Sequence, residues 1–498
     1  MKRTLISALA LMAATAAHAQ DLPDVQKNSD WFKAGQTTID EIIAREKIMG
    51  RAKNVILMIA DGNGIGTNYA TRLYVGQQLG KLGEEQVLPY ETNGFYNGIV
   101  KTYNINAQTP ESAPTAGAMN TGVKQRFNMI NLGGSALHDD CASVAGNELT
   151  TFAELVAAQG KSVGIVSTAR LTHATPAAVY AKTASRDWED ELPEGCTAQK
   201  DIATQMIDAM TSGMVDIALG GGSRYFVPKD TATPNGGKGH RADGKDLLAD
   251  VKSAGIQYAS NKAEFDALDL SKPILGMWSD SHTSYEADRP ETEPSLVDMT
   301  RKAIDFLSQN DQGYYLEIEA GRVDHANHDG NFARTAKDGM IWTEAVALAD
   351  EMTNDQDTLI IVTADHEHAI AFNGYCGRGT PIQGLCYEVS KTGIEHSDEL
   401  ALADDGKPYS VISYANGAGS ILKKGEGAND YSGARPAVTQ EEAMDVDYLQ
   451  QSLLPMSSET HSGEDVAVYA KGPWAHLVDG TIEQNVIFHV MNHAVNAQ

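Results

Sequence analysis

The chain has 498 residues, 42% of them hydrophobic, with four cysteines and a formal charge of −28. That length is ample for a large buried core, and such acidity argues against nucleic-acid backbones and anionic membrane surfaces as partners. No stretch beyond the N-terminal segment approaches the ~20 uninterrupted apolar residues of a membrane-spanning helix, so no membrane anchor is expected in the mature chain.

The first element reads as a leader. Lys2 and Arg3 precede an apolar run from Leu5 to Ala17, and Ala17-His18-Ala19 has the small-x-small pattern that a signal peptidase cleaves. Residues 1–19 are expected to be removed on export, leaving 20–498 as one catalytic domain in the periplasm or outside the cell. In such an oxidising compartment Cys141, Cys196, Cys376 and Cys386 suggest two disulfides. Cys376 and Cys386 flank a Gly-rich loop, which favours their pairing and leaves Cys141 with Cys196, although spacing alone does not choose among three connectivities.

From Asn54 the sequence reads N-V-I-L-M-I-A-D-G-N-G, a continuous apolar run that ends in Asp61 and a Gly-rich turn, as a buried parallel strand does. Helix-like segments at 151–159, 198–210 and 294–307 alternate with strand-like runs. Y-Y-L-E-I-E-A-G-R-V-D-H leads into Asp324, and T-L-I-I-V-T-A-D-H ends in Asp365 and His366. The β-then-α order predicts an α/β three-layer sandwich with a large, mostly parallel central sheet. Three strands then deliver carboxylates to their C-terminal ends, the edge where open α/β sheets bind ligands. Across about 371–458 the pattern loosens into Gly, Ser, Asp and Lys, which predicts an insertion of lid or crown type.

Asp61, Glu319, Asp324, His328, Asp365, His366 and His461 form an inventory of metal-type ligands. Mixed carboxylate and imidazole sets suit zinc, and oxygen-only sets suit magnesium. The D-x-x-x-H spacing of Asp324 and His328 places both on one face if a helical turn follows the strand. Adjacent Asp365 and His366 share a metal only where their strand breaks. Ser112 lies in T-P-E-S-A-P-T-A, a small-residue turn entering a helix, where free N–H groups favour an oxyanion; the plainer reading makes Ser112 or Thr115 a simple N-cap. A sulfatase-type C/S-x-P-x-R motif is excluded because Ala116 stands at the arginine position.

These blocks, with G-K-S-V-G-I-V-S-T-A-R-L-T-H-A-T-P-A-A, I-E-A-G-R-V-D-H-A-N-H, T-A-D-H-E-H and E-T-H-S-G-E-D-V-A-V-Y-A-K-G-P, resemble the alkaline phosphatases over nearly the whole mature chain. Several are more similar to the animal enzymes than to the enteric bacterial one. The resemblance implies hydrolysis of phosphate monoesters through a phosphoserine on Ser112, with two Zn2+ and one Mg2+ per subunit, release of inorganic phosphate, and a homodimer. It implies a first zinc on Asp324, His328 and His461, a second on Asp61, Asp365 and His366 beside Ser112, and magnesium on Asp61, Thr175 and Glu319. Arg186 matches the arginine that clamps phosphate, a task suited to its two-pronged guanidinium. His173 and His325 stand where some relatives have Asp and Lys, and bear on magnesium binding and on water-mediated phosphate contacts.

Two departures are visible. Glu111 precedes the nucleophile where the family usually has Asp, and its extra methylene is expected to leave Arg186 more mobile, altering phosphate affinity and product release. Ser279 stands where the animal calcium site has Glu, so that site is not expected. A phosphodiesterase of the same superfamily is the alternative activity, and the match at Thr175 and Glu319, the third metal position, favours the monoesterase.

Overall fold

The computed structural model describes residues 22–427 and 429–497, so the expected leader, residues 1–19, lies outside the described residues. Residues 22–47, with the helices Asp24–Lys27 and Asp30–Ala44, form one unit, and the chain from Ile48 onward forms the other.

In the larger unit the apolar runs become a ten-stranded sheet. Its strands lie side by side in the order Thr481–Glu483, Tyr96–Lys101, Val466–Lys471, Thr358–Thr363, Asn54–Ile59, Tyr314–Glu319, Ser162–Arg170, Ile217–Gly221, Ile274–Met277 and Gln257–Ala259. Val466–Lys471 runs against both neighbours, and the other pairings are parallel. Both faces are covered, which is why the central strands are apolar throughout instead of alternating. Val55, Leu57 and Ile59 pack into one core with Phe152 and Met491, whereas Ile56 and Met58 pack into another with Trp342 and Leu307. Each such aliphatic side chain contributes about 1.5–3 kcal/mol by leaving water.

The three central strands end together. Asn54–Ile59 is in register with Tyr314–Glu319 on one side and Thr358–Thr363 on the other, so Ile59 lies level with Glu319 and Thr363. Asp61, Glu319 and Asp365 therefore emerge along one edge. Within 371–458 the loose pattern resolves into short strands: Ile370–Phe372, Ile412–Gly417 and Ser452–Pro455 make a small sheet, and Lys423–Lys424 pairs with Tyr431–Ser432. The structure joins Cys141 to Cys196 and Cys376 to Cys386. No helix among the described residues is long and apolar enough to cross a membrane.

Candidate active site

Ser112 is the first residue of the helix Ser112–Thr121, and the side chain that caps this helix is Glu111, which accepts the Ala113 N–H at 3.0 Å. The cap is thus neither Ser112 nor Thr115, and the serine hydroxyl is left for the site. Ser112 Oγ lies 3.2 Å from His366 Nε2 and 3.5 Å from each oxygen of Asp61. His366 Nε2 in turn lies 3.1 Å from Asp365 Oδ2 and 3.4 Å from Asp61 Oδ1. The strand Thr358–Thr363 ends before Asp365 and His366, so its break lets both side chains turn to one point.

Asp324 and His328 fall on one face of the helix Gly321–His328, which begins directly after its strand, with His328 Nε2 3.4 Å from Asp324 Oδ1. His461 Nε2 reaches the same oxygen at 3.2 Å and stands 3.0 Å from His328 Nε2. The tautomers follow from the outer nitrogens. His328 Nδ1–H donates to the Glu459 carbonyl at 2.6 Å and His461 Nδ1–H to the Pro110 carbonyl at 2.9 Å. In the neutral rings both Nε2 atoms therefore carry bare lone pairs facing each other and a carboxylate, an arrangement that repels unless a cation sits among them.

A third group adjoins these. Glu319, His173 and Asp61 offer ligand atoms within 4.8 Å of one another. Ser167 Oγ donates to Glu319 Oε2, but Glu319 Oε1 and the buried Thr175 hydroxyl have no hydrogen-bond partner. Buried polar atoms rarely stay unsatisfied, so these fit an oxygen-coordinated cation. Burial, then the charges of Asp324 and Asp365, push the Asp61 carboxyl well above its usual range, and burial lifts Glu319 to about 7. Crowded carboxylates of this kind need positive charge to remain ionised.

The family model for alkaline phosphatases matches residues 52–497. The chain belongs to the alkaline phosphatase family. It is 37% identical to the tissue-nonspecific isozyme of Gallus gallus, over 99% of this chain and 94% of that protein. It is also 37% identical to the alkaline phosphatase of Gadus morhua, over 95% and 97%. Among solved structures it resembles the alkaline phosphatase of Thermus thermophilus, with TM-score 0.63, 22% identity and 96% coverage of each chain. The enzyme from the Antarctic bacterium TAB5 gives TM-score 0.61 and 22% identity over 90% of this chain and 99% of that one. This alkaline phosphatase is a metal-dependent hydrolase that splits phosphate monoesters into an alcohol and inorganic phosphate.

The phosphatase site opens into a cavity of about 630 Å3 lined in part by Glu111, Phe127, His173, Arg186, His328 and His461. Arg186 Nη1 pairs with Glu111 Oε2 at 2.5 Å, and Nη2 donates to His173 Nε2 at 2.9 Å. The extra methylene of Glu111 is used: Oε1 reaches across to accept the Asn128 N–H at 2.6 Å. The arginine is therefore anchored on both sides rather than loosened. His325 stands one layer back, where its Nδ1 accepts from Arg322 Nη1 at 3.2 Å and its ring centre lies 4.0 Å from that of His282, the two rings tilted by 54°.

Two residues that the sequence motifs did not single out complete the site. His368 donates from Nε2 to Asp324 Oδ1 at 2.8 Å and from Nδ1 to Glu459 Oε2 at 2.6 Å. Burial alone lowers its pKa, but the two flanking carboxylates outweigh this and lift it to about 10. Gly62 (φ 68°) makes room for it, since a Cβ there would fall 2.3 Å from His368 Nε2. The His368 signal was its place in T-A-D-H-E-H; Glu459, 91 residues further on, left only the E-T-H block.

Proposed function

We propose that this enzyme works through a phosphoserine on Ser112 with two Zn2+ and one Mg2+ per subunit. Asp324, His328 and His461 hold one zinc, Asp61, Asp365 and His366 hold the second beside Ser112, and Asp61, Thr175 and Glu319 hold magnesium. The observation that carries this reading is the pair of bare Nε2 atoms of His328 and His461, 3.0 Å apart beside Asp324, with Ser112 Oγ next to the neighbouring carboxylate and imidazole set. The bound zinc ions supply Lewis acidity for the Ser112 hydroxyl and for the departing alcohol.

Ser112 Oγ gives up its proton and attacks phosphorus as the ester P–O bond breaks, and the leaving oxygen departs with the bonding electrons and takes up a proton to become the alcohol. Water then takes the phosphoryl group from Ser112, releasing inorganic phosphate and restoring the hydroxyl. Arg186 presents a planar guanidinium to the phosphate oxygens, held in place by Glu111 and His173. Burial and the neighbouring arginines keep His173 neutral, so its Nε2 stays an acceptor for Arg186. His325 acts from behind, on phosphate contacts made through water.

The test is hydrolysis of p-nitrophenyl phosphate and its bis-ester at alkaline pH, zinc-loaded, with and without magnesium, beside Ser112→Ala. Preference for the monoester, stimulation by magnesium and an inactive variant are expected. A faster bis-ester, or indifference to magnesium, moves the chain to the diesterase branch. The same reading includes loss of residues 1–19 on export and a homodimer, to be checked by N-terminal sequencing and light scattering.

A further inference from the structure

The proposed second zinc set is split between two loops far apart in sequence. Asp61 begins the turn into the helix Ile65–Gln78, while Asp365 and His366 precede the short strand Glu367–His368. One cross-link joins the loops through the site itself, the Gly62 N–H donating to Asp365 Oδ1 at 3.0 Å. A second lies just outside it. Glu367 Oε2 accepts the Gly66 N–H at 2.6 Å, and Oε1 accepts the Thr67 hydroxyl at 2.8 Å and the His368 N–H at 3.1 Å.

The helix Ile65–Gln78 receives no side-chain cap from its own N-cap residue, Gly64. Its first donors need an acceptor, and this carboxylate, 300 residues away in sequence, supplies one. The chain leaves space for it: a Cβ on Gly64 would come within 2.6 Å of Glu367. Glu367 is 4% exposed, and both its oxygens are engaged by these donors. Its position between two histidines of the site therefore reflects a different task from theirs.

We infer that Glu367 is a positioning residue that fixes the separation between Asp61 and the Asp365–His366 pair, and thereby sets how tightly that set holds its cation. The inference rests on the ligand assignment proposed above. A preorganised set binds without first ordering two loops, whereas an untied set must do so on binding.

The experiment measures zinc affinity by competition with a chromophoric chelator for the wild-type protein, Glu367→Ala, Glu367→Gln and Thr67→Val, with thermal unfolding of the zinc-free proteins alongside. In Glu367→Ala one zinc equivalent is expected to bind about 10- to 100-fold more weakly while the other keeps its wild-type affinity. Thr67→Val shifts the same equivalent by less, and Glu367→Gln recovers most of the affinity because its amide oxygen still accepts the Gly66 N–H. Zinc affinities within twofold of wild type, with a lower melting temperature in the zinc-free protein, would reduce Glu367 to a helix cap and overturn the inference. If Glu367→Ala does not fold, Thr67→Val decides between the same two outcomes: a weakened second zinc equivalent supports the inference, and an unchanged one overturns it. Wild-type protein that takes up no zinc defeats the ligand assignment first, and this inference with it.

Discussion

Glu111→Asp perturbs the phosphate clamp while leaving the proposed metal-binding atoms in place. In the structure one carboxylate does three things: it caps the helix Ser112–Thr121 at Ala113, pairs with Arg186 Nη1, and accepts the Asn128 N–H. Aspartate is a good N-cap, so the contact to Ala113 survives. Losing one methylene withdraws the carboxylate by about 1.5 Å, more than a 2.6 Å hydrogen bond tolerates, so Asn128 is released. Asn128 sits at φ 64°, a conformation that needs support, and its carbonyl accepts the Arg186 backbone N–H at 2.8 Å. Releasing it loosens Arg186 from the main-chain side. A hydrogen bond to a charged group contributes about 1.5–3 kcal/mol, and if half of that reaches the guanidinium, phosphate binds roughly 3- to 10-fold more weakly. Competitive inhibition by inorganic phosphate reads this directly, and metal analysis of the same samples should show unchanged zinc and magnesium. An inhibition constant equal to that of wild type refutes the argument that Glu111 positions Arg186.

Three other perturbations probe separate parts of the molecule. Ser112→Ala should lower the hydrolysis rate by at least about 10^3-fold and abolish acid-stable labelling by radioactive phosphate while zinc stays bound; labelled Ser112→Ala would locate the phosphoenzyme elsewhere. Glu459→Gln removes one of the two carboxylates that flank His368, so the zinc proposed at Asp324 should bind about 10-fold more weakly in chelator competition, and an unchanged affinity would detach Glu459 from the site. Asp338 is buried away from the metal groups, and burial lifts its carboxyl to about 8 from the ordinary 3.8. The folded state therefore holds this proton after the unfolded chain has released it, and stability falls as pH rises from about 4 to about 8, then levels off. At 1.36 kcal/mol per pKa unit the upper bound is about 5–6 kcal/mol. Asp338→Asn, which has no proton to lose there, should gain stability relative to wild type over that window in denaturant titrations, and parallel curves would show that Asp338 does not titrate there.

The parts of this enzyme that sequence reveals are those where one local pattern carries both structure and chemistry. The run to Asp61 is apolar because its strand is covered on both faces, and it stops at a carboxylate because the sheet edge is the site. The Asp324–His328 spacing works because a helix starts where the strand stops. Less is legible where a contact joins distant segments with no periodicity. The strands within 371–458 have two to six residues, too few for alternation to show, and Ile412–Gly417 finds its partners 40 to 44 residues before it and 38 residues after it. The same limit hid the support of the site. His366 turns to Ser112 and Asp61 while Glu367 turns to Gly66 and Thr67, and a motif reading assigns the histidine and passes over the glutamate. What makes Glu367 informative is the donor pair at Gly66 and Thr67, which belongs to another loop and is known only once the two loops are brought together. Residues that bind are constrained by chemistry and recur as motifs, whereas residues that position them are constrained by a particular arrangement of neighbours. Glu459 with His368, and Glu367 with the helix at Ile65, are of the second kind, and for that reason the metal-affinity measurements on these residues test the fold and the site together.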